Sequence, residues 1–232
     1  MDDDEASIGE LDEASFSGVG RLFPLPGVTL FPGIVLPLHV YEERYRALVD
    51  DALDGDGLVA MAVLKPGWGP DYSGRPPIDE AICLGRILTY NRLSDGRYNL
   101  LLAGMRRARI LSEIEPPQAF RRAELQLTAE DDREAADEHS RELHHRLAEA
   151  FRASLPKGEP PQALLKVFEE DSPLGLLTDL AAHVLPIDNK VKREMLAEAS
   201  AIARAERLIE TLEQDDGPMP MDGDFPPPFS DN

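Results

Sequence analysis

Cysteine, long apolar runs and basic residues are all scarce in this sequence, and each scarcity excludes a class of protein. Cys83 is the single cysteine, which excludes an intramolecular disulfide and any cysteine-based metal cluster. It lies in the apolar run Ala81 to Leu88, so we expect a buried and unreactive thiol. No apolar run approaches the roughly 20 residues that a membrane-spanning helix needs. The sequence is therefore not that of a disulfide-rich or membrane-spanning protein.

The shortage of basic residues is uneven along the chain. There are 24 Lys and Arg against 44 Asp and Glu, a net charge of −20. Residues 1–17 hold seven of the acids and residues 215–232 hold five, and neither segment has a base. Residues 18–214 therefore carry 32 acids and 24 bases, and this acidic body disfavours binding to nucleic acid or anionic lipid.

Both acidic ends have little apolar area to offset the entropy of ordering them, so we expect 1–17 and 215–232 to be disordered tails. The first 15 residues are acidic, whereas a signal peptide is basic and then apolar. We expect a cytoplasmic protein with no signal peptide.

The stretch from Arg21 to Val49 is rich in proline and glycine, with four prolines and two glycines. Because proline removes a ladder donor and fixes φ, the stretch is not one long central strand. It predicts two short strands, Arg21 to Leu25 and Ile34 to Leu38, that are joined by a Pro/Gly corner. Apolar residues at spacings of three and four then predict a helix from about Tyr41 to Leu53, which ends at Gly55-Asp56-Gly57.

More short apolar or alternating runs follow, and Ser94-Asp95-Gly96 is a hairpin turn signal between two of them. The predicted strands are Leu58 to Leu64, Ala81 to Leu93, Arg97 to Ala103, Arg106 to Leu111 and Arg122 to Thr128. Gly104 allows a bend between the third and the fourth. Six or seven mostly antiparallel strands with one early helix predict a small barrel or curled sheet over residues 18–130.

Residues 131–214 have a different pattern, with apolar residues at helical spacing. The predicted helices are Asp131 to Ala153, Gln162 to Glu169, Pro173 to Leu185, a segment that Asp188 caps, and Ala199 to Leu212. The fold class is therefore α+β, with a β-rich first domain and a helical bundle at 131–214.

Three ordered blocks of the chain, residues 22–49, 85–110 and 185–213, resemble the Lon protease N-terminal domain family. The first has an apolar strand, a Phe-Pro-Gly corner, Pro-Leu and an acidic-aromatic helix start. The second has the Asp95-Gly96 turn and the bend Gly104-Met105-Arg106-Arg107. The third has a lysine-rich helix that leads to an arginine near the last helix. It departs from the family at Lys192 to Leu196, where the usual pattern is Lys-Gln-x-Leu-Leu.

The resemblance implies a six-stranded, PUA-like pseudo-barrel with an inserted helix, followed by a helical bundle. It also implies a function, because this family is the substrate-recognition domain of an ATP-dependent protease. We expect a stand-alone, non-enzymatic module that binds unfolded or partly unfolded protein segments. It would act as an adaptor in protein quality control, with an ATP-dependent protease or chaperone as partner. The alternative is a small-molecule or modified-residue sensor, because the family includes the Lon-like domain of cereblon.

The sequence contains no catalytic or metal-binding motif. It has no G-x-x-x-x-G-K-[ST] phosphate loop, and no stretch resembles the serine–lysine dyad of the Lon protease domain. His139, His144 and His145 lie on one predicted helix, but spacings of five and one do not place two metal ligands one turn apart. We therefore expect neither an enzyme nor a cofactor or metal site.

Two groups of residues are candidates for peptide binding. Trp68 and Tyr72 lie in the Pro/Gly-rich loop from Lys65 to Pro77, and exposed aromatic residues are common interface anchors. The alternative for Trp68 is a lid on the barrel. Arg106 and Arg107 belong to the one basic cluster, which would bind an anion or acidic peptide and comprises Arg106, Arg107, Arg109, Arg121 and Arg122. The alternative is internal pairing with the surplus acids, including those of the tails.

Overall fold

The computed structural model describes residues 11–69, 72, 74–115, 119–129, 138–155, 166–168, 172–214 and 230–231. The chain divides into two compact units. The first, here the β unit, comprises Met1–Leu127 with Phe229–Asn232, and the second, here the helical unit, comprises Thr128–Pro228. The division falls close to residue 130, where the composition of the sequence changes.

The described part of the β unit contains one sheet and one helix, α1, which spans Glu43–Asp54. The strands are β1 Val19–Leu25, β2 Val35–Val40, β3 Leu58–Leu64, β4 Ile78–Arg92, β5 Tyr98–Glu113, β6 Arg121–Leu127 and the two-residue β7 Ser230–Asp231. The six longer strands and the helix inserted after β2 confirm the predicted α+β fold class. Gly55 lies directly after α1, and its backbone N–H bonds to the carbonyl of Ala52, as expected for a helix that stops there.

Five of the strands form a closed ring. Neighbouring strands pair in the order β4, β3, β1, β6 and β5, and β5 pairs with β4 to close the circle. β1 and β3 are parallel, whereas the other pairs of the ring are antiparallel. The parallel pair needs a crossover connection, and β2 with α1 provides it. Among the described strands, β2 lies outside the ring and pairs with the first half of β5 and with β7 alone.

β5 differs from the prediction of two strands separated at Gly104. It is one strand of 16 residues, with a register shift that leaves Met105 as an extra residue opposite β4. A bulge changes the direction of the strand without ending its pairing. Gly104 is needed for another reason, since a Cβ there would lie 2.1 Å from the carbonyl oxygen of Phe31. The Pro/Gly corner is therefore docked directly on β5, where the Gly104 N–H donates to the Ile34 carbonyl at 2.8 Å.

The described part of the predicted amino-terminal tail, residues 11–17, is attached to the barrel. Leu11 and Phe16 pack against the hydrophobic cluster of the barrel, which includes Leu22 and Leu125. Residues 11–17 thus differ from the prediction, because two apolar side chains suffice to attach a short acidic segment to a preformed apolar surface. Residues 1–10 lie outside the described residues.

The other predicted tail contains β7. Ser230 and Asp231 pair in parallel with Leu38 and His39 of β2. These two residues therefore differ from the prediction of a disordered segment, and residues 215–229 and 232 lie outside the described residues.

The helical unit contains four helices in its described part, together with a helical turn at 166–168. They are α2 Glu138–Ser154, α3 Leu174–Val184, α4 Asn189–Ala197 and α5 Ala201–Gln214. The side chain of Asp188 accepts a hydrogen bond from the Lys190 N–H at 2.6 Å, which confirms the predicted cap of α4. No described helix combines the length and apolar character that crossing a membrane requires. The remainder of the predicted helices at 131–137 and 162–165 lies outside the described residues.

One ion pair is buried between α3 and α5. The Arg204 Nε lies 3.5 Å from Asp179 Oδ1, and these side chains are 1% and 3% exposed. The same guanidinium donates to the carbonyls of Glu198 and Ala199 at 3.0 and 2.9 Å. Arg204 therefore links the segment between α4 and α5 to the buried Asp179 of α3.

Candidate functional site

The loop between β3 and β4 brings Trp68 and Tyr72 together. Their rings meet edge to face with centroids 5.3 Å apart, and both side chains are half-buried. The Tyr72 hydroxyl donates to Glu42 Oε1 at 2.7 Å, and Arg44 donates to the Tyr72 carbonyl at 2.9 Å. The Arg44 guanidinium also lies 4.8 Å from the centre of the Tyr72 ring. These contacts anchor the loop to the start of α1 and leave part of the Trp68 surface exposed.

Burial fixes the protonation of the tyrosines in this cluster. It raises the pKa of Tyr72, and the hydrogen bond to the Glu42 carboxylate raises it further. Burial also raises the pKa of Tyr45 to about 12, and the Tyr45 hydroxyl donates to the Pro24 carbonyl at 2.8 Å. Both hydroxyls are therefore protonated donors at neutral pH. They hold the loop and α1 in place and are not available as bases.

The predicted basic cluster is not one surface patch. Arg106 and Arg107 are consecutive on β5, so their side chains point to opposite sides of the strand. Arg107 is 1% exposed and cannot contact a client at the surface, whereas Arg106 is partly exposed and pairs with Glu13. Arg109 pairs with Glu80 at 2.6 Å, and Arg121 donates to the carbonyl of Pro76 at 2.7 Å.

A strip of partly exposed side chains runs along β2 and its neighbour β5. On β2, Val35, Pro37 and His39 alternate with buried residues. The antiparallel register places Leu101 beside Pro37 and Asn99 beside His39. We call these five residues the outer face. Its apolar members are Val35, which is 38% exposed, and the half-buried Pro37 and Leu101.

Hydrogen bonds fix the polar end of the outer face. Arg97 lies 3.2 Å from His39 Nε2, and His39 Nδ1 lies 2.6 Å from Asn99 Oδ1. Because an arginine only donates, Nε2 accepts and Nδ1 carries the proton that is donated to Asn99. Tyr41 is the first residue after β2 and is 43% exposed, and its ring centroid lies 6.3 Å from that of His39. Glu42 follows Tyr41 in the chain, so the Trp68–Tyr72 loop is anchored to the residue that comes directly after this end of the outer face.

The sequence pattern did not reveal the outer face. Residues 34–38 are apolar at every position, so the alternation that distinguishes a buried side from an exposed one is missing. One signal was present, since a proline within a strand is confined to edges and bulges. Pro37 indicates that β2 is an edge strand, and a side of an edge strand can face solvent.

The described residues contain no group of three His, Cys, Asp or Glu side chains that could hold a metal ion. His139 lies 3.2 Å from Glu206, and the rings of His144 and His145 meet edge to face with centroids 6.0 Å apart. Cys83 is buried on β4, as its apolar neighbours predict. The candidate site is therefore the outer face with the adjoining aromatic loop.

Comparison with known proteins places this site in context. Residues 20–214 match the family model of the substrate-binding domain of ATP-dependent protease La (Lon). Lon protease 1 of Myxococcus xanthus is 29% identical over 197 residues, which are 83% of this chain and 24% of that protein. Lon protease of Escherichia coli is 26% identical over 201 residues, or 84% of this chain and 24% of that protein. The chain thus spans about a quarter of the length of these relatives.

Two solved structures share the fold. The N-terminal domain of Lon protease from the Mycobacterium avium complex has a TM-score of 0.68 at 19% identity, with 85% of this chain and 99% of that chain covered. A Lon N-terminal domain protein from Xanthomonas campestris has a TM-score of 0.61 at 23% identity, with 83% and 97% covered. The resemblance seen in the three sequence blocks is confirmed.

Proposed function

Because the chain belongs to the family of Lon substrate-binding domains, we propose that it is a non-enzymatic module that binds unfolded protein segments. The observation that carries the proposal is the partly exposed apolar side of the outer face, with Tyr41 at its end. Apolar side chains at the surface of a folded domain mark interaction sites when they lie together. An unfolded segment offers the apolar side chains that a folded protein buries.

The aromatic loop extends this surface. The Trp68 ring packs against Tyr72, and the Tyr72 hydroxyl is hydrogen-bonded to Glu42. Because the Trp68 side chain is already held in place, it loses little conformational entropy on binding. A client would contact Val35 and Tyr41 on one side and Trp68 on the other. We also propose an adaptor role, with delivery of the client to an ATP-dependent protease or chaperone, which membership of this family supports.

The test compares binding to an unfolded probe with binding to a folded probe. Fluorescence anisotropy measures binding of the full chain to labelled casein, which is unfolded, and to a labelled folded protein of similar charge. We expect binding to the unfolded probe only. Equal binding to the folded protein, or none to casein, would contradict the proposed function.

Variants then locate the surface. Val35→Ser combined with Tyr41→Ser should weaken casein binding at least about fivefold, since both remove apolar contact area. Leu111→Ser is the matched control, because Leu111 is 59% exposed on the far half of β5 and lies outside the outer face. Trp68→Ala should cost about 2 kcal/mol or more, as truncation of an interface anchor does. Unchanged affinity in both surface variants would place the client elsewhere.

A further inference from the structure

The sheet of the β unit has one strand whose second side is open to addition. Ring closure pairs β1, β3, β4, β5 and β6 on both sides. β2 is outside the ring and bonds to β5 on one side only, apart from its contact with β7. An edge strand presents backbone N–H and C=O groups that can accept another strand. Within the described sheet, the free side of β2 is therefore the place where an extended chain can bind.

The structure shows which segment binds there. Leu38 pairs with Ser230 and His39 with Asp231, in parallel, so the carboxyl-terminal end of the chain lies on this edge. The pairing begins directly after Pro37, which has no N–H to offer. A proline on an edge strand removes one ladder donor, so addition is weakened at Pro37 itself and not at Leu38 and His39. β7 occupies these two positions.

The contact is short, and this makes it reversible. Two paired residues form few hydrogen bonds, and each such bond contributes little net stability because the groups also bond to water. What retains β7 is its attachment to the same chain, which gives a high effective concentration. A second extended segment with more contacts would displace it.

A longer segment would gain those contacts from the outer face. In an added strand, alternate side chains lie on the same side as Val35, Pro37 and His39 of β2. An extended segment with apolar residues at alternate positions would therefore extend the outer face toward Val35 and Tyr41. β7 covers only the two positions opposite Leu38 and His39.

We propose that the edge of β2 at Leu38 to Val40 is a strand-addition site, and that the carboxyl-terminal end of this chain occupies it as a displaceable cap. The evidence for the cap is the pairing of β7 with β2. Its competition with an extended client segment rests on the proposed function.

Hydrogen exchange of the full chain tests the cap without a client. Ser230→Pro with Asp231→Pro removes both N–H donors and the extended geometry of β7, whereas Ser230→Ala with Asp231→Ala keeps the backbone intact. The register turns the His39 N–H away from β5, and we expect this amide to exchange about tenfold faster in the proline variant than in the unmodified chain. In the alanine variant it should exchange as in the unmodified chain. Equal exchange in all three proteins would overturn the proposal.

A peptide provides a second measurement on the same amide. The peptide spans residues 225–232 and is added to the proline variant at millimolar concentration. Slower exchange at His39 supports the site, and no protection at any concentration up to several millimolar overturns it.

Casein binding tests the competition. We expect the proline variant to bind labelled casein about three- to tenfold more tightly than the alanine variant. Faster exchange with unchanged casein affinity would overturn the competition and leave the proposed function standing. Failure of all variants to bind casein would contradict the proposed function, and the exchange data would still decide on the cap.

Discussion

Among the described residues, each unit buries one arginine almost completely, but the two arginines lie in different kinds of surroundings. Arg107 is in the middle of β5, opposite Cys83 of β4 in the register. Arg204 is on α5, and two of its bonds go to carbonyls five and six residues before it. The position of the first depends on pairing with a residue 24 positions away in the sequence, and that of the second depends largely on its own neighbourhood in the sequence. The structure of the β unit therefore depends on the register between its strands, whereas that of the helical unit depends more on contacts between residues close in sequence.

The largest effect is expected from breaking the local arrangement. Arg204→Ala removes the guanidinium from the buried Asp179 carboxylate and from the carbonyls of Glu198 and Ala199. Removing one partner of a buried ion pair costs about 3–5 kcal/mol, because the other charge stays buried. Circular dichroism at 222 nm during urea unfolding measures the loss.

Arg207→Ala is the control on the same helix. Arg207 is 44% exposed and pairs with Glu194 and Glu210 at 3.4 and 3.1 Å, and surface pairs of this kind contribute about 0–1 kcal/mol. The comparison between the units would be wrong if Arg204→Ala were no more destabilising than Arg207→Ala. Trp68 fluorescence reports on the β unit alone, since this is the one tryptophan of the chain.

A smaller effect is expected from breaking the register of the β unit. In Gly104→Ala the new methyl group would lie 2.1 Å from the Phe31 carbonyl oxygen, so the corner and β5 must separate. Overpacking of this kind costs about 1–3 kcal/mol. The same methyl group would lie 3.2 Å from the Cys83 sulfur, so labelling of this single thiol in the native protein measures how often the interior opens.

We expect Gly104→Ala to raise the labelling rate of Cys83 by about ten- to a hundredfold, since each tenfold corresponds to about 1.4 kcal/mol. Gly69→Ala is the control, because a Cβ at Gly69 meets no atom within 4 Å. Similar labelling rates in the two variants would show that the close approach of Phe31 to β5 is unimportant for the barrel.

The same contrast explains which features could be predicted from the sequence. β3 was predicted with its bounds, and Asp188 was predicted to cap α4, because both depend on patterns within a few residues. The continuous β5 and the burial of Arg107 could not be predicted, since they follow from pairing with β4 and β6. Of the candidate residues, Trp68 and Tyr72 are in contact, but the outer face beside them exists only because the register aligns β2 with β5.

The effect that sharpens the comparison most is the response of the units to alkaline pH. All five tyrosines lie in the β unit, and burial raises the pKa of Tyr45 and of Tyr98 to about 12. Between the ordinary pKa of about 10 and this value, the unfolded chain loses these protons and the folded unit keeps them. The free energy of unfolding of the β unit should therefore fall as pH rises from 10 to 12.

The helical unit should respond in the opposite direction. Burial lowers the pKa of Lys192, so the folded unit releases this proton at a lower pH than the unfolded chain does. Its stability should rise as pH approaches the ordinary lysine value of about 10.5. Urea unfolding at pH 8, 10 and 11, followed by Trp68 fluorescence and by circular dichroism at 222 nm, compares the units. Tyr45→Phe should flatten the fall and cost about 1 kcal/mol at pH 8, where it removes the hydrogen bond to Pro24.

Tyr90→Phe and Lys192→Met complete the comparison. Tyr90 is 52% exposed, so its loss should leave the alkaline fall of the β unit as it is. Lys192→Met should remove the rise in the helical unit, because no proton is left to release at that position. If both units lost stability in parallel between pH 8 and 11, or if Tyr90→Phe flattened the fall as much as Tyr45→Phe, the buried hydroxyls would not be the cause. Slopes of opposite sign would instead show that the two units respond to pH independently, each through its own buried groups.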